Sequence, residues 1–118
     1  MKIDLYGKNI QLDEPLRVFV EERIGGLQKF IDGGPSRLRQ GFGEPMEARV
    51  EIGLPSKHHR SGRIYYAEVN LKIGGKLLRA TCQHEDMRNA IVDAKNELQR
   101  QIKKFKEKKK DLSRAPKV

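Results

Sequence analysis

Apolar and polar residues alternate at the start of the chain. Ile3 and Leu5 fall on one face and Lys2, Asp4 and Tyr6 on the other, the period-2 pattern of a half-buried strand. Gly7 interrupts the alternation and Ile10 and Leu12 resume it at even positions, which predicts a bend or bulge between Gly7 and Asn9. Asp13 is a good helix N-cap, followed by Glu14 and Pro15 where a missing N–H costs nothing and negative charge suits the helix dipole. Leu16, Phe19, Val20, Ile24, Leu27, Phe30 and Ile31 then recur at steps of three and four, the stripe of an amphipathic helix. Gly25 and Gly26 interrupt that stripe at a cost of roughly 1 kcal/mol each relative to Ala, so the helix either kinks there or has a second half held by packing. Asp32-Gly33-Gly34-Pro35 stops it, and residues 32–45, rich in Gly and Pro with Arg37 and Arg39, read as a surface loop.

Met46, Ala48, Val50, Ile52 and Leu54 alternate with Glu47, Arg49 and Glu51 as a second strand ended by Pro55. A polar, basic connector over 56–63 leads to the longest strand, with Tyr65, Ala67, Val69, Leu71 and Ile73 on one face. Gly74-Gly75 is a two-residue hairpin signal suited to positive φ at both positions. The fourth strand turns Leu78, Ala80 and Cys82 inward and Leu77, Arg79 and Thr81 outward. In the last element Met87, Ala90, Ile91, Ala94, Leu98, Ile102 and Phe105 form one helical stripe, with Glu85 and Asp86 at its start and lysines crowding its end. The stripe stops near Lys108, which predicts a domain over 1–110 and a flexible basic tail over 111–118.

The order β-α-β-β-β-α joins the first two strands through a helix, so they can pair in parallel, and makes the last three an antiparallel meander. Each strand has a single apolar face, so both helices must cover that one face. The expected architecture is α+β, a two-layer sandwich with a four-stranded mixed sheet.

Charge adds a direction to this scaffold. The 118 residues carry 25 Lys+Arg against 16 Asp+Glu, a formal net charge of +9. Residues 1–98 hold 16 basic and 14 acidic side chains, net +2, whereas 99–118 hold 9 and 2, net +7. Such an excess favours a polyanionic partner, nucleic acid or an anionic membrane surface, because phosphate contacts release condensed counterions. With the apolar stripe turned inward, Lys95, Arg100, Lys103, Lys104, Lys106 and Lys108 project outward as a ridge that matches a phosphate backbone. The alternatives are a solvated lysine-rich terminus and a membrane-surface helix; against the latter, the apolar face is Ala-rich, is needed for the core, and has no Trp. No apolar run approaches the ~18 residues of a membrane span and no secretory signal opens the chain, so a cytoplasmic protein is expected.

Catalysis finds little support. Cys82 and His84 sit at i and i+2, a conceivable nucleophile and base or ligand pair, yet a lone inward Cys is ordinarily a small buried hydrophobe. His58-His59 reads as a solvated pair in a basic loop, Glu85 and Asp86 as helix-start residues, and Gly74-Gly75 lacks what a phosphate loop needs. No enzyme activity, metal or cofactor is expected. Phe19, Phe30, Phe105 and Tyr65 fall on inward faces, leaving Tyr6, Phe42 and Tyr66 as exposure candidates, so recognition should rest on phosphates and RNA shape rather than base stacking.

Three stretches carry a family resemblance: Gly7-Lys8-Asn9-Ile10 with Leu16-Arg17 and Val20; Leu77-Leu78-Arg79-Ala80; and His84-Glu85-Asp86-Met87 with Ala90-Ile91 and Leu98-Gln99-Arg100-Gln101-Ile102. Over residues 2–108 the chain resembles the ribosome hibernation promoting factors, also called ribosome-associated inhibitors or sigma-54 modulation proteins. The resemblance implies a fold similar to double-stranded-RNA-binding domains. It also implies a place on the small ribosomal subunit, where family members occupy the channel of messenger RNA and the A- and P-site transfer RNAs and silence translation in starvation or stationary phase. Matching basic contacts are Arg23, Lys29, Arg79, Arg100 and Lys104; with His84, Arg88, Lys95, Lys103 and Lys108 they make the candidate RNA-binding set. Arg88 stands where the family commonly has Tyr, and Gly26 and Glu97 replace frequent lysines. The resemblance is to short members, without the dimerisation domain of long ones, so a monomer away from the ribosome is expected, with ribosomal RNA as partner and no small-molecule substrate or membrane. The competing reading is a general module for double-stranded or structured RNA acting off the ribosome; a protein-interaction module modulating transcription is the third.

Overall fold

A computed structural model describes residues 1–32, 46–55, 64–73 and 75–113. The elements are β1 (Lys2–Lys8), α1 (Glu14–Gly25), α2 (Leu27–Asp32), β2 (Glu47–Gly53), β3 (Tyr65–Ile73), β4 (Lys76–His84) and α3 (Met87–Ser113). The four strands form one sheet in the order β1-β2-β3-β4, with β1 parallel to β2 and the other neighbours antiparallel. This is the expected mixed sheet, and its apolar face is covered by the helices. Leu16, Val20, Ile24 and Leu27 meet Val50, Ile52, Val69 and Leu71 of the sheet and Ile91, Leu98 and Ile102 of α3 in one core. Fully burying each such side chain contributes about 1.5–3 kcal/mol, and among the described residues no polar or charged residue is buried, so no side-chain desolvation cost is set against that gain.

Local chemistry fixes the element boundaries. Asp13 Oδ1 accepts from the Leu16 N–H at 2.9 Å and caps α1, with Pro15 in the first turn. The bend expected after Gly7 is made at Asn9, whose φ of 59° takes the chain into the left-handed region that Asn tolerates. Its side chain donates to the Leu54 carbonyl at 2.8 Å and Leu54 N–H donates to the Lys8 carbonyl at 3.0 Å, which ties the end of β1 to the end of β2. Gly53 is needed at that join, because a Cβ there would run into the Lys8 backbone. Of the predicted Gly74-Gly75 turn, Gly75 has φ +82°, and Gly74 lies outside the described residues.

Two boundaries differ from expectation. The first helix is two segments: α1 ends at Gly25 and α2 begins at Leu27. Gly26 keeps right-handed geometry (φ −61°, ψ −21°) and its N–H still bonds to the Glu22 carbonyl at 3.1 Å, so the break is an interruption, not a reversal. Leu27 remains in the core, so the second half is held by packing, one of the two outcomes the glycine pair allows. At the other end, α3 continues to Ser113, into the stretch expected as a tail. The reason is propensity: Lys and Glu are good helix formers and no breaker precedes Pro116. The predicted loop over 33–45, the connector over 56–63 and the residues after 113 lie outside the described residues.

Candidate nucleic-acid interface

The ridge predicted along α3 is in fact two stripes. Residues 88, 95, 99, 103 and 106 follow steps of seven, four, four and three and face α1 and α2; residues 97, 101, 104 and 108 follow steps of four, three and four and face β4. Arg100 lies between them, outermost. The helical packing thus sorts the cations by flank.

On the α1–α2 flank a groove of ≈ 490 Å³ is lined by Arg23, Lys29 and Lys95 with Glu22, Phe30 and Gln99. It continues into one of ≈ 520 Å³ lined by Phe30, Asn96, Gln99, Arg100 and Lys103. Glu22 is the one acidic side chain among the residues lining these two grooves. Arg88 joins the same flank: its guanidinium and that of Arg23 each lie 5.1 Å from the centre of the Phe19 ring. Six predicted contacts, Arg23, Lys29, Arg88, Lys95, Arg100 and Lys103, are therefore brought to one surface by three helices. Cations thus flank a partly apolar floor that includes Phe30, a form that receives a phosphate backbone.

The remaining predicted residues are placed differently. Lys104 and Lys108 are exposed on the β4-facing stripe of α3. Arg79 is on the open face of the sheet, paired to Glu68 Oε1 at 2.6 Å. That pairing answers a local need, because Glu51 and Glu68 stand directly opposite each other on β2 and β3, and like charges so placed repel. Arg79 also lines a separate groove between β4 and α3 together with Arg100. His84 Nδ1 accepts from the Asp86 N–H at 2.9 Å, and Asp86 Oδ1 accepts from the N–H groups of Arg88 at 2.8 Å and Asn89 at 3.2 Å. His84 thus shapes the turn into α3, where Asp86 is the cap.

Besides Arg79, two cations of α3 are held by protein groups. Arg100 makes a two-pronged pair with Glu97, Nη2 to Oε1 at 2.6 Å and Nε to Oε2 at 3.0 Å. The hydrogen bonds from Arg100, then from Gln101, hold the Glu97 carboxyl down at about 2. Lys106, expected to project outward, instead donates to the Phe30 carbonyl at 3.0 Å and sits over the Phe30 ring. It satisfies a carbonyl in the last turns of α2, where cations are favoured, and pins α2 to α3.

Nothing in the geometry prepares Cys82 for chemistry. Burial, and then the charges of Asp93 and Glu97, push its thiol up, the opposite of an activated nucleophile, and Nδ1 of His84, two residues on, is occupied by the Asp86 N–H. Among the described residues no group of three His, Cys, Asp or Glu side chains is placed to hold a metal ion, and no helix is long and apolar enough to cross a membrane.

Comparison with known proteins now decides the family. Residues 3–110 match the family described as Sigma 54 modulation protein / S30EA ribosomal protein. The chain belongs to that family. It is 33% identical over 104 residues to a ribosome hibernation promotion factor of Deinococcus radiodurans, covering 86% of this chain and 47% of the relative. It is 27% identical over 112 residues to the ribosome hibernation promoting factor of Pseudomonas putida, covering 95% and 93%. The chain spans about half the length of the first of these and of a similar Bacillus subtilis relative. The solved N-terminal domain of Thermus thermophilus Protein Y superposes with a TM-score of 0.68 at 25% identity, covering 89% of this chain and 99% of that one. A ribosomal subunit interface protein from Coxiella burnetii shares the fold with a TM-score of 0.64 at 18% identity, covering 90% and 98%.

Proposed function

We propose that this chain is a ribosome hibernation factor domain that occupies the messenger and A- and P-site transfer RNA channel of the small ribosomal subunit. Translation stops by occupancy, with no bond made or broken, under starvation or stationary phase in the cytoplasm. The observation that carries this reading is the helical flank on which six cations from α1, α2 and α3 converge, with Glu22 the one acid lining its grooves and Glu97 paired to Arg100, in a member of a family whose relatives are named for ribosome hibernation. Phosphates of ribosomal RNA would supply the counter-charge, and the domain would act as a monomer.

Competition tests it. The protein is sedimented with small subunits, then with subunits preloaded with messenger and initiator transfer RNA. Loss of co-sedimentation on preloading supports the channel; undiminished binding contradicts it and favours the general RNA module. Engagement of about six phosphates gives a log-log salt slope on the order of −4 to −5.

A further inference from the structure

Arg23, in the last turn of α1, and Arg88, in the first turn of α3, come from distant parts of the chain yet share one aromatic ring. Both guanidinium carbons are 5.1 Å from the Phe19 centroid, so they lie no further apart than twice that distance. Both residues are exposed, while Phe19 is half-buried and packed against the core. Among the described residues, the ion pairs are Arg79–Glu68 and Arg100–Glu97, so neither of these arginines has a carboxylate within pairing distance. Arg88 is also badly placed for its own helix, since a cation at the positive end of the dipole is disfavoured. Two like charges on one ring, one of them opposed by its own helix, raise the affinity of this spot for an anion.

Stacking occupies the face of a guanidinium and leaves its in-plane N–H fork free, the edge that binds phosphate oxygens. It also limits the rotamers of two long side chains before any partner arrives, lowering the ordering cost of binding. Arg23 lines the groove that runs on past Lys29 and Lys95, so the anion that fits is a segment of an extended polyanion and not an isolated carboxylate. We propose that Phe19 is a positioning residue that holds Arg23 and Arg88 as a two-guanidinium clamp on the phosphate backbone of RNA. The proposal rests on the RNA-binding face argued above and adds a residue with no charge of its own to it.

The test uses the full chain with Phe19→Leu, Phe19→Tyr, Arg23→Gln and Arg88→Gln. Affinity is measured across a salt series for isolated small ribosomal subunits and for a ~16-base-pair RNA duplex. Each Arg→Gln variant is expected to bind about tenfold more weakly and to lose about 0.7–0.9 from the salt slope. Phe19→Leu weakens binding with the slope unchanged, because the same phosphates are neutralised by less ordered side chains; Phe19→Tyr, which keeps the ring, restores wild-type affinity. Arg88→Gln costs less in the Phe19→Leu background than in wild type. Full affinity of Phe19→Leu, or strictly additive losses, overturns the clamp even where subunit binding is intact. Duplex binding with this signature but no subunit binding upholds the clamp and overturns the channel reading; binding to neither overturns both.

Discussion

Glu97 and Arg100 show how a single acidic residue tunes a basic surface. The carboxyl is held at about 2 first by its hydrogen bond from Arg100 and then by that from Gln101. Arg100 must therefore leave or share Glu97 to reach a phosphate, and Glu97→Gln is expected to bind RNA more tightly at low salt, measured by the same titration as wild type. Because the folded value is depressed, the stabilisation from Glu97 is present above its ordinary value near 4.5 and is lost as pH falls through about 2. An NMR titration of the Glu97 carboxyl checks this: in Arg100→Gln its midpoint rises towards 4.5. Asp86 is the second residue with a defined task, and Asp86→Ala removes the acceptor for two N–H groups of α3 and lowers stability by about 1 kcal/mol, read as a shift in denaturant midpoint. Sequence marked Asp86 as a helix-start acid, but His84's part in the same turn was beyond it, since a contact of Nδ1 with a backbone N–H two residues on leaves no periodic trace.

Among elements, the strands and α3 were legible because each has one wet and one dry face, and that contrast alone fixes period and register. The join of β1 to β2 is where the sheet is least tolerant: Gly53→Ala brings a Cβ against the Lys8 backbone and costs on the order of 1–3 kcal/mol, with hydrogen exchange accelerating first in β1. Gly25-Gly26 announced a defect without saying which kind, because propensity measures cost and not geometry. Lys106 was misassigned outward for a related reason. Helical spacing puts it on a flank, but that flank faces the end of α2, and the Phe30 carbonyl captures the ammonium. Lys106→Met keeps the stem and removes the donor, so α2 amides are expected to exchange faster while those of α3 from 87 to 102 are unchanged.

At the scale of the whole molecule the two outer surfaces differ in kind. The open sheet face alternates sign, with Lys2 opposite Glu47, Glu47 opposite Lys72 and Asp4 opposite Arg49, and so largely neutralises itself. The helical surface gathers cations on one flank, where Glu22 is the one acid lining the grooves and Arg100 and Lys103 from after residue 98 join Arg23, Lys29, Arg88 and Lys95 from before it. That cations gather on the helical side was readable from the outward positions of α3; that Arg79 would be retained by Glu68 on the sheet was not, because cross-strand pairing depends on register. The most direct test compares two double charge reversals with equal change in net charge: Lys29→Glu with Lys103→Glu on the helical groove, and Lys8→Glu with Lys72→Glu on the sheet. Co-sedimentation with small ribosomal subunits at low salt should be lost in the first and kept in the second. Retention by the groove variant, or equal loss in both, would contradict the assignment of the helical layer as the RNA-binding face.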